Sequence, residues 1–193
     1  MALQFAIEDW VQRLTGIPKD DFTIPAVHEY LLTHAIDVPS LDPYLYYSKA
    51  HYTRNLIYKC DLFEVMAICW GSGQSSAIHN HRGQSCWMAT PIGRLRVQNY
   101  RLEGRDEGHS TCHLAPTDYY DMDASRPGVV DPRDPVHSVA NLPEFGARAV
   151  SIHIYSYPYS ECEVYSLEKG TYMDVPLHYT SEYGRLSPDE KLI

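Results

Sequence analysis

In residues 1–50 the apolar positions recur at helical spacing. Phe5, Ile7, Trp10, Val11 and Leu14 fall mostly on one face before Gly16 and Pro18 stop the pattern. A second helix is predicted from Pro25, with Thr23 as its cap and Val27, Leu31, Leu32 and Ala35 as its buried stripe, until Pro39 and Pro43 break it. From His51 onward the texture changes to short runs rich in β-branched and aromatic residues, separated by Gly, Pro, Asn and Asp. These runs cover roughly residues 52–58, 62–70, 75–79, 85–91, 93–100, 110–114, 136–140, 147–155, 163–166 and 172–176. Helices followed by strands, rather than alternating with them, exclude a doubly wound sheet. The pattern predicts a mainly β sandwich or barrel with helices packed at its N-terminus. Residues 126–135 read as one long surface loop, and the polar stretch after His178 as a partly ordered tail.

Composition narrows the classes. A chain of 193 residues, 44% of them apolar and 21% charged, suits one globular domain. We divide it into a helical segment 1–50, a barrel 51–178 and a tail 179–193. No apolar run approaches the length of a membrane span. The net charge of −9, spread along the chain, opposes binding to a phosphate backbone, so neither nucleic acid nor membrane is an expected partner. Glu8 and Asp9 stand where a signal peptide needs an unbroken apolar core. Five cysteines without CxxC spacing argue against a disulfide framework or a zinc knuckle, and with the N-terminus they lead us to expect a reducing cytoplasm.

The densest chemical signal lies between Gly71 and Gly93. His79 and His81 are separated by one residue, so on a strand both imidazoles leave the same face and can grip one metal ion. His137, in a later run, would complete a facial set of three neutral ligands. The spacing alone leaves a second reading open, in which His79 and His81 are solvent-facing residues of an edge strand and His137 is unrelated to them.

The wider pattern resembles a known family. Gly73, the His79-Asn80-His81 triplet, Cys86 and Gly93 reproduce the spacing of the first cupin motif, with Cys86 where most cupins carry glutamate, and His137 to Asn141 matches the second. The blocks Tyr52-Thr53-Arg54-Asn55, Cys69-Trp70-Gly71 and Ser151-Ile152-His153-Ile154-Tyr155 make the chain similar to the cysteine dioxygenases from about residue 50 to Tyr183-Gly184. The resemblance implies a small cupin jelly-roll barrel that converts L-cysteine and dioxygen to cysteine sulfinate. It also implies one Fe(II) per chain, held by His79, His81 and His137, in a monomer or weak oligomer.

It further implies that Arg54, with Tyr52, holds the substrate carboxylate. Ser151, His153 and Tyr155 would form a relay, and Cys86 would become bonded to Tyr155 through a thioether. The other cysteines, Cys60, Cys69, Cys112 and Cys162, read as structural. After the relay tyrosine the chain has Ser156-Tyr157-Pro158 in place of the family's usual Ser-Pro-Pro, so the pocket wall is expected to differ there. Two other readings fit the same residues: a dioxygenase for another small thiol acid, such as 3-mercaptopropionate or mercaptosuccinate, and a non-catalytic metal- or ligand-binding cupin.

Overall fold

The computed structural model describes residues 2–133 and 136–188. Helix α1 (Ile7–Thr15) buries Ile7, Trp10, Val11 and Leu14, as the periodicity predicts. Phe5 instead belongs to strand β1 (Leu3–Phe5), which pairs in parallel with β2 (His34–Ile36). Its ring stacks on His34 at 5.3 Å and carries the Arg13 guanidinium at 4.2 Å, contacts an extended chain reaches and a helix would not. Helix α2 (Ile24–Thr33) starts where Thr23 Oγ1 accepts from the Ala26 N–H at 3.4 Å. Its buried stripe is Val27, Tyr30 and Leu31. Leu32 is 45% exposed and Ala35 lies in β2, which corrects the expected stripe. Tyr30 takes their place because its hydroxyl donates to Trp10 O at 2.6 Å, tying α2 to α1. A 3-10 turn, Val38–Tyr44, accommodates Pro39 and Pro43.

The strands follow as β3 (Thr53–Lys59), β4 (Phe63–Trp70), β5 (Ile78–His79), β6 (Cys86–Ile92), β7 (Leu95–Asp106), β8 (Thr111–Met122), β9 (Gly128–Val130), β10 (His137–Ala140), β11 (Ala149–Ser156), β12 (Glu161–Ser166), β13 (Thr171–Pro176), β14 (Ser181–Glu182) and β15 (Arg185–Leu186). They form a closed barrel in the order β10-β5-β12-β13-β8-β7 and a seven-stranded sheet in the order β15-β14-β3-β4-β11-β6-β9. The mainly β barrel with few helices is the architecture the strand pattern predicts.

Three expectations are corrected. The surface loop expected at 126–135 contains β9, antiparallel to β6 with Cys86 opposite Val130; residues 134–135 lie outside the described residues. Gly128 permits that pairing, since a Cβ there would meet Met122 Sδ at 2.5 Å and the Tyr120 hydroxyl at 2.9 Å. The runs at 93–100 and 110–114 extend into the twelve-residue arms of one hairpin, β7 and β8, whose outer parts are polar and exposed and so lack the apolar signal used to find strands. The polar tail forms β14 and β15, with β14 parallel to β3; residues 189–193 lie outside the described residues.

Strand β4 is buried at all eight positions because it is covered on both faces. One face, with Val65, Ala67 and Cys69, packs with Val150, Ile152 and Ile154 against α1 and α2. The other, with Met66, Ile68 and Trp70, faces the barrel interior beside Cys86, Met88 and Tyr155. The polar residues of β11 therefore point into the protein. Among the described residues, no helix is long and apolar enough to cross a membrane.

Candidate active site

Strands β5 and β10 run antiparallel with His79 directly opposite His137, which joins two distant stretches of sequence. Strand β5 ends at His79, so His81 stands in the turn that follows rather than on the strand. Its ring nevertheless returns to the same place, and the ligand atoms of His79, His81 and His137 all lie within 4.8 Å of one another. His79 Nδ1 sits 2.9 Å from the Ala77 carbonyl. A carbonyl only accepts, so this contact fixes the proton on Nδ1 and leaves a lone pair on Nε2. That Nε2 lies 3.3 Å from His81 Nε2. Burial, the leading cause, lowers the His79 pKa to about 4, and burial together with the neighbouring His137 and His79 holds His81 well below its ordinary value. Neutral, inward-facing imidazole nitrogens in a group of three are a donor set suited to a divalent transition metal with positions left open.

Beside the triad, β11 presents a connected polar line. The Trp70 indole N–H donates to Ser151 Oγ at 2.9 Å, Ser151 Oγ lies 2.8 Å from His153 Nε2, and His153 Nδ1 lies 3.0 Å from the Tyr155 hydroxyl. Since the indole can only donate, the serine hydroxyl proton is free to go to His153 Nε2. His153 then donates from Nδ1 to the Tyr155 oxygen, leaving the phenolic proton available to the pocket. Burial, followed by the charges of Arg54 and His137, keeps His153 neutral, and burial, followed by Tyr159 and Cys86, holds Tyr155 as the phenol. Tyr155 packs edge-on against His81 with ring centroids 5.1 Å apart.

Arg54 enters from β3. Its Nε and Nη2 are buried without a hydrogen-bond partner. Burial opposes the charge, but the phenols of Tyr155, Tyr159 and Tyr52 and the carboxylate of Glu64 outweigh it and raise the pKa further. A buried guanidinium with unused donors is an anion receptor, because leaving it unpaired costs several kcal/mol. Tyr52, just before β3, stacks on Trp70 at 4.7 Å. With Arg54, Val175, Leu177 and Thr180 it lines an open cleft of about 280 Å³.

Sequence reasoning passed over several groups here. Tyr159 packs on both Tyr155 (5.2 Å) and His81 (6.1 Å). Glu64, a lone charge in the apolar run of β4, is fully buried; its position in that run was the available signal. Asn80, between the two neighbouring histidines, donates to Glu163 Oε2 at 2.8 Å and lies 2.9 Å from the Tyr165 hydroxyl. Glu163 is in turn held by Arg105 at 2.8 Å, from the far part of the β7–β8 hairpin. Asn141, which the second motif singles out, is a clamp: its side-chain amide donates to Gly71 O at 3.1 Å and Ala147 O at 2.8 Å.

A family model described as cysteine dioxygenase type I matches residues 20–168, more than half of the chain and a span that includes the three histidines, Arg54 and the β11 line. The chain belongs to the cysteine dioxygenase family. It is 24% identical to cysteine dioxygenase type 1 of Danio rerio, an alignment covering 95% of this chain and 90% of that protein. Identity with the Homo sapiens cysteine dioxygenase type 1 is 22%, over 88% of this chain and 83% of that one. Among solved structures, a Klebsiella pneumoniae protein described as having a double-stranded β-helix domain superposes with a TM-score of 0.45 at 15% identity, covering 61% of this chain and 86% of that one.

In this cysteine dioxygenase family member, Cys86 on β6 faces Tyr155 on β11, and its Sγ lies 3.7 Å from His153 Nδ1. The thiol is fully buried and its pKa is raised well above the ordinary value, first by burial. After β11, Tyr157 adopts φ 61° and donates its N–H to Leu62 O at 2.7 Å, giving the wall next to the pocket its own turn. Cys69 is buried on the opposite face of β4, its thiol pushed up to about 12 by burial.

Proposed function

We propose that the protein is an iron(II)-dependent thiol dioxygenase that converts L-cysteine and dioxygen to cysteine sulfinate. Both oxygen atoms end on sulfur, so the reaction needs no external reductant. One ferrous ion per chain is assigned to His79, His81 and His137. When bound, it supplies open positions for thiolate and dioxygen and lifts the spin restriction on their direct reaction. Three neutral ligands leave the ion's charge undiminished, which favours an anionic thiolate over a neutral ligand.

The chain's own groups do the rest. Arg54 pairs with the substrate carboxylate through two parallel hydrogen bonds, and Tyr52 borders that position. Tyr155 offers its hydroxyl proton to the reacting end of the pocket, oriented by His153, which Ser151 and Trp70 steady. The buried walls exclude water, so these polar contacts act in a medium where they count for more than in solvent.

The observation that carries this reading is the convergence of three imidazoles with a guanidinium whose buried Nε and Nη2 have no partner and the β11 hydroxyl–imidazole–phenol line. The test is anaerobic loading with ferrous iron, followed by oxygen uptake on a panel of thiols and mass-spectrometric identification of the product. Cysteine-driven uptake yielding the sulfinate is expected. Preference for 3-mercaptopropionate or mercaptosuccinate would assign a different substrate, and no uptake on any thiol would make the protein a binding module.

A further inference from the structure

Glu64 is a second buried charge on the inward face of β4. It lies directly across from Tyr155 and alternates with Met66 and Ile68, which line the barrel interior. Its Oε2 accepts from the Tyr179 hydroxyl at 2.6 Å, a short, charge-assisted contact, and Lys59 Nζ donates to the same hydroxyl at 3.3 Å. Its Oε1 is buried with no partner, like Arg54 Nε and Nη2. The wall behind the triad thus holds one cation and one anion, both desolvated and both with unused hydrogen-bonding capacity, instead of a closed ion pair. Burial raises the Glu64 pKa above the ordinary carboxylate value, and the Tyr179 hydroxyl, Arg54 and Lys59 limit that rise.

We propose that Glu64 sets the charge selectivity of the thiol pocket. With Arg54 it admits substrates carrying one carboxylate and rejects those carrying two. The first carboxylate of a ligand satisfies Arg54. A second would face the Glu64 carboxylate, which with the phenols of Tyr155, Tyr159 and Tyr52 acts on Arg54. In a poorly screened interior, like charges repel over distances that water would damp. A thiol with an ammonium and no carboxylate is affected the other way, since Glu64 is then the favourable charge. The assignment rests on the thiol dioxygenase reading and specifies which thiols that site takes.

Glu64→Gln keeps the shape and removes the charge. Relative kcat/KM values for mercaptosuccinate, cysteine and cysteamine, measured on one preparation of each protein, cancel differences in iron loading. The ratio of mercaptosuccinate to cysteine is expected to rise about tenfold or more, and that of cysteamine to cysteine to fall. A merely structural role would scale all three together, and that result, or unchanged ratios, overturns the assignment. Titration calorimetry of the unsubstituted, iron-loaded protein under argon gives a reading without turnover and without a variant: propionate is expected to bind more tightly than succinate. Equal or tighter binding of succinate also overturns it. Failure of every thiol to consume oxygen counts against the dioxygenase reading, whereas a charge preference absent from the unsubstituted protein, or kept intact in Glu64→Gln, counts against Glu64 alone.

Discussion

Cys86 and Tyr155 are direct partners across the β6–β11 ladder, both fully enclosed by the barrel core. Their chemistry differs from that of an exposed thiol and phenol. The raised thiol pKa keeps Cys86 protonated and poorly nucleophilic, so it does not react by simple ionisation. Joining its sulfur to the tyrosine ring forms one C–S bond, breaks one S–H and one ring C–H, and passes two electrons and two protons to dioxygen. After turnover with iron, cysteine and air, intact-mass analysis is expected to show a fraction lighter by two hydrogens, absent in Cys86→Ser. Only free Cys86 in the peptide map after turnover would rule the bond out.

Removal of any one imidazole of the triad should abolish metal binding without collapsing the fold, since metal binding needs all three while the barrel is held by its ladders. For His79→Ala, His81→Ala and His137→Ala we expect iron per chain, measured by elemental analysis, to fall towards zero along with activity, while the circular dichroism spectrum keeps its β signature. A variant that retained stoichiometric iron would remove that histidine from the ligand set.

Arg54→Ala should spare the metal and weaken substrate. Truncating the buried partner of a carboxylate costs about 2–5 kcal/mol. KM for cysteine should rise steeply with iron content unchanged, while a thiol lacking a carboxylate should show no such increase. An equal loss for both kinds of thiol would mean that Arg54 does not read the carboxylate.

The β11 line separates orientation from binding. Tyr155→Phe removes the hydroxyl and should slow turnover with iron retained. Ser151→Ala leaves the Trp70 indole N–H buried without an acceptor, at a cost of about 1–3 kcal/mol, and frees His153 to take its other tautomer. Tyr155→Phe likewise strips the acceptor from His153 Nδ1, so we expect a lower melting temperature and a lower kcat in both variants, with iron retained. Normal turnover in the phenylalanine variant would take Tyr155 out of the mechanism.

Acid should destabilise the metal-free protein in a defined window. His79 titrates near pH 4 in the fold, and His81 and His153 are also held well below 6.5, with burial the leading cause in each. As the pH falls through 6.5, the unfolded chain takes up these protons and the folded one does not. The unfolded state therefore binds more protons, and stability is lost progressively between about pH 6.5 and 4. Thermal melts should shift down from pH 7.5 to pH 5, with a shallower dependence in His79→Ala. A flat profile across that window would contradict the burial of these imidazoles.

Much of this arrangement can be read from residue order, and the remainder has physical reasons for being hidden. The His79–His81 spacing, the YTRN block and the alternation of Ser151, His153 and Tyr155 are local patterns, so they survive in one dimension. The join between His79 and His137 is a ladder contact between distant strands, and no periodicity encodes it. The polar stripe on β11 would normally mark a solvent face. It points inward because both faces of the sheet are covered, which depends on the closure of the whole barrel. Strand β9 was masked by the prolines and charges around Gly128–Val130, and the outer parts of β7 and β8 by their polarity. Glu64 was visible as an oddity, but its meaning required knowing that Arg54 shares its enclosure.

The pairing of Arg54 with Thr180 bears on how the protein is made. Thr180 donates its N–H to the Arg54 carbonyl at 2.7 Å, and its hydroxyl accepts from the Arg54 N–H at 3.3 Å, across 126 positions of sequence. Strand β3 emerges early during translation, whereas the segment that braces it emerges only after the triad and the β11 line. A ribosome-bound intermediate that already holds all three imidazoles would still lack these two bonds to the Arg54 backbone. The strand that carries Arg54 is therefore pinned along this edge only once the last part of the chain is made.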